Sequence, residues 1–122
     1  MTTILLADDN AATRLLLRAQ LEALGANILE AADGQAALEL ARAERPSIAV
    51  LDFSMPKLTG IEVCSRLKAE QPTRGIRAFV LTASQDQDVQ GYAFLAGVDG
   101  FFTKGEGTWA LCQTIAELIE AQ

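Results

Sequence analysis

The 122-residue sequence contains no histidine. That absence removes the Ser/His/Asp and Cys/His arrangements of nucleophilic catalysis, the commonest general base and the commonest transition-metal ligand. Any chemistry falls to carboxylates, hydroxyls and lysine. Cysteine is scarce as well. Cys64 and Cys112 stand far apart in no metal-binding or redox spacing, so the plain reading is two reduced thiols in or near a core. Positive charge is in deficit: 10 Lys plus Arg against 16 Asp plus Glu leave a net charge of −6, with no basic cluster. This argues against nucleic acid or an anionic membrane as a direct partner. No apolar run approaches the roughly 20 residues that span a bilayer. The start, Met1-Thr-Thr-Ile-Leu-Leu-Ala-Asp-Asp, lacks the basic region of a signal peptide and reaches acids by residue 8. A cytoplasmic domain without membrane contact is expected.

What is present is ample material for a core. Half of the residues are hydrophobic and 21% are charged, which argues against disorder, and the length fits one domain over residues 1–122, with no output domain expected beside it. The stretch Ile48 to Gly60 organises the rest. Its apolar run, Ile-Ala-Val-Leu, leads directly into Asp52. A strand without polar alternation reads as one covered on both faces, as in a parallel sheet, and ligands of such sheets collect beyond the carboxyl ends of the strands.

Along the chain, short apolar runs alternate with helical periodicity. Strands are expected at Ile4 to Ala7, Asn27 to Ala31, Ser47 to Asp52, Arg77 to Thr82 and Gly100 to Thr103. The spacing predicts helices from Ala11 to Leu24, capped by Asn10 with Leu15, Leu17, Leu21 and Leu24 inward, from Ala36 to Glu44, from Gly60 to Glu70 and from Asp86 to Ala96. A last helix is expected behind a Thr108 cap. Five strand and helix pairs in strict alternation predict an α/β fold, a doubly wound parallel sheet flanked by helices in three layers.

Four of the five expected strands end in a chemically capable group: Asp8-Asp9, Asp52, Thr82 and Lys104. In a parallel sheet these meet at one edge. Crowded carboxylates repel unless a cation neutralises them, and Mg²⁺, a hard cation that accepts one or two carboxylates and keeps waters, is the natural one. Asp52 is then a candidate nucleophile towards a phosphoryl group, with Lys104 and Thr82 contacting its oxygens. Taken singly, Asp9 reads as a cap or solvated acid, Thr82 as a turn residue and Lys104 as a surface cation. Those bland readings leave the shared position at the strand ends unexplained.

Asp8-Asp9, the run Asp52-Phe-Ser-Met-Pro-Lys-Leu-Thr-Gly60, Thr82-Ala83 and Lys104 together resemble the receiver domain of the two-component response regulators, in order and spacing, over essentially the whole chain. The resemblance implies a five-stranded flavodoxin-like sheet of order 2-1-3-4-5 with five helices. It implies that Asp52 accepts a phosphoryl group from a phosphohistidine on a histidine kinase or histidine phosphotransfer protein. Asp9, Asp52 and the Ser54 carbonyl would hold Mg²⁺, with Asp8 acting mainly through water. Thr82 and Lys104 would contact the phosphoryl oxygens, and Phe101 would be the switch aromatic. Such a domain catalyses its own modification and is no enzyme in the ordinary sense. The family's usual proline after the lysine is replaced by Gly105, for which a trans bond and a looser loop are expected, since a cis non-prolyl bond costs about 2.5 to 4 kcal/mol.

Two surfaces stand out. On the fourth helix Val89, Ala93 and Ala96 form an inward stripe, which leaves Tyr92 and Leu95 near solvent beside Asp88. With Trp109 and Phe101 they would make an apolar face of helix four, strand five and helix five for an effector or a second receiver. On the first helix, Arg14, Leu16, Arg18 and Gln20 would face the phosphoryl donor. Three rival readings are a receiver-shaped interaction module working without phosphorylation, a hydrolase with an aspartyl nucleophile, and a flavodoxin-like nucleotide binder. Against the second, Ser54 stands where those enzymes carry a second acid; against the third, no Gly-rich loop follows the first strand.

Overall fold

The computed structural model describes residues 1–83 and 87–121. Five parallel strands, β1 (Thr3–Ala7), β2 (Asn27–Ala31), β3 (Ile48–Asp52), β4 (Arg77–Thr82) and β5 (Gly100–Thr103), form one sheet in the order β2-β1-β3-β4-β5. They alternate with α1 (Ala11–Glu22), α2 (Gly34–Glu44), α3 (Gly60–Ala69), α4 (Gln87–Leu95) and α5 (Glu106–Glu120). The expected architecture and strand order are those observed.

The strands read as apolar runs because both faces are covered. Leu5, Ala7, Ala49, Leu51, Ala78 and Val80 point to the layer of α2 and α3, where Leu38, Val63 and Leu67 meet them. The alternate residues Ile4, Leu6, Ile48, Val50, Phe79 and Leu81 point to α1 and α5, against Leu17, Leu21, Leu111 and Ile115. Alternate strand residues thus enter opposite layers, as a sheet covered on both faces requires. β3 lies at the centre, and all five of its residues are buried.

Local signals begin the first three helices. Asn10 accepts from the Thr13 amide and Asp33 from that of Ala36, while Thr59 and Glu62 form a reciprocal capping box. Each such cap contributes about 1 kcal/mol. The sequence does not display that capping box until Gly60 is known to open the helix.

Three expectations are corrected. Leu15 is not inward: it is exposed, and Leu17 and Leu21, one turn apart, carry the buried stripe of α1. α1 ends at Glu22 rather than Leu24, although Leu24 still packs on the core. Thr108 does not cap α5, which begins at Glu106 with Gly105 in the capping position at φ 84°. That conformation favours glycine, so Gly105 makes the tight entry into the helix that a capping side chain would otherwise define. α4 is described from Gln87, so the expected start at Asp86 and the side chain of Asp88 lie outside the described residues.

Candidate acidic site at the strand ends

The carboxyl edge of the sheet gathers its acids through the register. Asp52 closes β3 and pairs with Leu81, while Thr82 pairs with Thr103, which places Lys104 next in line. Backbone bonds extend the order beyond the strands: Asp8 N–H to Ala31 O at 3.1 Å, Phe53 N–H to Leu81 O at 2.7 Å and Lys104 N–H to Thr82 O at 2.8 Å. The chain leaving Asp52 then turns closely enough to pack on it. A Cβ at Gly60 would lie 2.5 Å from the Asp52 carbonyl oxygen, so only glycine fits where α3 begins.

Asp8 and Asp52 are buried and Asp9 is exposed. One carboxylate oxygen from each can be chosen so that all three lie within 4.8 Å of one another. Lys104 Nζ lies 3.1 Å from Asp8 Oδ2 and 3.2 Å from Asp52 Oδ1. Burial and the neighbouring Asp8 charge push the Asp52 carboxyl up to about 6, against the pull of Lys104. Lys104 is held above its usual range. Partial burial opposes its charge, but the hydrogen bond to Asp8 and the charge of Asp52 outweigh that cost.

These residues suit a hard cation. Asp8 Oδ1 accepts the Asn10 N–H at 2.9 Å, whereas Asp8 Oδ2 is a buried oxygen whose charge is met by the Lys104 ammonium. Three carboxylates fit Mg²⁺ better than a softer metal, which would seek imidazole or thiolate.

The other singled-out residues divide. Thr82 is buried at the end of β4, on the same edge as the acids. Ser54 is exposed, two residues past Asp52 on the loop to α3. Phe101 is half-buried and packs against the core on the α2 and α3 face. The Lys104–Gly105 peptide is trans, as expected. Tyr92, Leu95 and Trp109 are 66%, 83% and 70% exposed, and Phe94, which the periodicity did not single out, is exposed beside them. Arg14 and Arg18, expected on the donor-facing side of the first helix, both pair with Glu30 on β2.

The family model described as the response regulator receiver domain matches residues 4–116. The chain belongs to that family. It is 37% identical over 101 residues to the alkaline phosphatase synthesis transcriptional regulatory protein PhoP of Bacillus subtilis, a match covering 83% of this chain and 41% of that protein. It is 38% identical over 106 residues to the DNA-binding dual master transcriptional regulator RpaA of Synechocystis, covering 85% and 43%. The chain thus spans about two fifths of the length of these relatives. Among solved structures, the signal receiver domain of a DNA-binding response regulator from Colwellia psychrerythraea superposes with a TM-score of 0.90 at 26% identity, covering 98% and 99% of the two chains. The receiver domain of the sensor histidine kinase PA1611 from Pseudomonas aeruginosa does so with 0.84 at 27%, covering 95% and 94%, and that structure has a magnesium ion coordinated in its active site cleft. This receiver presents its acid cluster at the carboxyl edge of the same fold, and among the described residues no helix is long and apolar enough to cross a membrane.

Proposed function

We propose that this receiver is a phosphorylation switch, in which Asp52 takes a phosphoryl group from a phosphohistidine of a histidine kinase or phosphotransfer protein. The observation that carries the reading is Asp52 itself: a buried carboxylate at the end of the central strand, within one small cluster with Asp8 and Asp9 and in contact with Lys104. Asp52, Asp9 and the Ser54 carbonyl would hold Mg²⁺, with Asp8 acting mainly through water. When bound, the cation offsets the negative charge of the acids and of the incoming phosphoryl group.

An Asp52 carboxylate oxygen forms the new bond to phosphorus as the P–N bond to the donor imidazole breaks. The imidazole leaves neutral, its other nitrogen having kept a proton. Lys104 turns its ammonium to the phosphoryl oxygens, and Thr82 offers its hydroxyl to another. The protein speeds its own modification and its own hydrolysis and turns over no separate substrate, so it is no enzyme in the ordinary sense. A groove of about 260 Å³ lined by Thr13, Leu16, Gln20, Lys104 and Thr108 suits the approach of a donor along α1 and α5.

The output, in this reading, is the face of α4, β5 and α5. Tyr92, Leu95 and Trp109 are exposed on these elements, and a separate groove of about 530 Å³ between α3 and α4, lined by Phe53, Ile61, Val89, Tyr92 and Leu95, reaches the residue after Asp52. Thr82 and Phe101 would couple the phosphoryl group to this face, which would meet an effector or a second receiver. Since PhoP and RpaA are named as transcriptional regulators, such an effector would act on transcription, with no direct nucleic-acid contact by this acidic domain. A cytoplasmic site of action follows from a histidine-phosphate donor and reduced thiols.

The linkage itself is the test. A phosphoryl group on Asp52 is an acyl phosphate, which hydroxylamine and mild alkali strip off, whereas a phosphoserine or phosphothreonine survives hydroxylamine. Hydroxylamine-resistant phosphate would assign the chemistry to a hydroxyl instead.

A further inference from the structure

Asp8 is held on three sides. Its N–H bonds the Ala31 carbonyl, its Oδ1 accepts from Asn10, and its carbonyl, just past the end of β1, accepts a hydrogen bond from Arg14 Nη1 at 2.6 Å. Arg14 comes from the first turns of α1, and its side chain is 20% exposed. Its Nε lies 3.3 Å from Glu30 Oε1 on β2. The other Glu30 oxygen takes Arg18 Nη1, and Arg18 Nε in turn pairs with Glu22. A single guanidinium therefore spans α1, the loop bearing the acids and the edge strand. Its planar fork serves two acceptors in fixed directions, which a lysine ammonium cannot do.

We propose that Arg14, anchored by Glu30, is a positioning residue that fixes the Asp8-Asp9 turn so that its carboxylates can share a cation with Asp52. The inference rests on the cation-binding reading of the site. Exposed ion pairs of this kind stabilise a fold weakly, so the arrangement matters through where it puts the Asp8 backbone. Partners at one remove from a metal typically change its affinity 10- to 100-fold when lost.

Mg²⁺ titration calorimetry on the whole chain tests this, with thermal melting as the folding control and Arg14→Met, Arg14→Lys and Glu30→Gln beside the wild type. Positioning predicts roughly tenfold weaker Mg²⁺ binding in all three, the lysine failing to rescue, with melting temperatures near that of the wild type. Glu30→Gln keeps the cationic Arg14 and lies on the surface, so it keeps the test alive should an Arg14 variant fail to fold. If Arg14 acted only as a nearby positive charge, Arg14→Met would bind Mg²⁺ more tightly and Arg14→Lys would match the wild type; either result overturns the inference. Wild-type binding with unaffected variants overturns it alone, whereas a wild type that takes up no Mg²⁺ overturns the cation reading with it.

Discussion

Lys104 Nζ lies 3.2 Å from Asp52 Oδ1, so the last strand delivers a cation to the carboxylate that closes the central one. The same ammonium lies 3.1 Å from Asp8 Oδ2 and is the charge that lets two buried acids stand side by side. Lys104→Met is therefore expected to lower stability without added metal by about 1 to 3 kcal/mol. Mg²⁺ should stabilise this variant more than the wild type, because a competing cation is gone. Urea unfolding with and without Mg²⁺ reads both effects, and equal metal stabilisation of the two proteins would count against the shared site.

The raised Asp52 carboxyl gives stability a definite pH dependence. In the fold it titrates near 6, above its ordinary value of 3.8, so the folded state binds more protons than the unfolded state between those values. The contribution is fully present below about pH 4 and is lost as pH rises through about 6, amounting to at most about 3 kcal/mol. Asp52→Asn removes the penalty, so without metal it should exceed the wild type in stability at neutral pH, the gap closing near pH 4. A gap that widens on acidification would reverse the sign of the assignment.

Mg²⁺ inverts this behaviour. The cation binds the ionised form, so its uptake should release a proton and its affinity should fall about tenfold per pH unit well below 6. Calorimetry in buffers of different ionisation heat counts that proton, and pH-independent binding would place the ion away from Asp52.

Gly60→Ala puts a methyl group 2.5 Å from the Asp52 carbonyl oxygen. The start of α3 must retreat, at a cost of about 1 to 3 kcal/mol. Slower phosphorylation should accompany it, because the loop carrying Ser54 moves with the helix. A variant with wild-type melting and wild-type phosphorylation would show that the turn has slack.

Tyr92, Phe94 and Leu95 are exposed, so their replacement by alanine should leave stability within about 0.5 kcal/mol. If the α4 face is the output surface, the triple variant loses partner binding or self-association while Asp52 is still phosphorylated. Unchanged partner affinity and oligomeric state would remove that role.

Much of this was legible because the strands carry their own evidence. The run from Ile48 to Leu51 is apolar on both faces, which only a central strand of a layered sheet requires, and the acid after it could then be placed at the edge. The helices were read less well where leucines crowd. In Leu15-Leu16-Leu17 nothing local distinguishes the buried residue, and Leu17 is selected by the sheet together with Leu21. The start of α5 was obscured because Gly105-Glu-Gly107 looks like a loop. A Cβ at Gly107 would lie 3.0 Å from Thr103 Oγ1, so the glycine serves close packing of the first turn against β5. Arg14 read only as part of a donor-facing helix surface because its partners, the Asp8 carbonyl and Glu30, come from elements that only the fold brings together.

The central claim is tested most directly by intact mass after incubation with Mg²⁺ and acetyl phosphate, for the wild type and Asp52→Asn. The expected result is one phosphoryl adduct on the wild type, absent from Asp52→Asn and absent when the metal is chelated. An unmodified wild type under conditions that label another receiver, or an adduct that persists in Asp52→Asn, would contradict a switch built on Asp52.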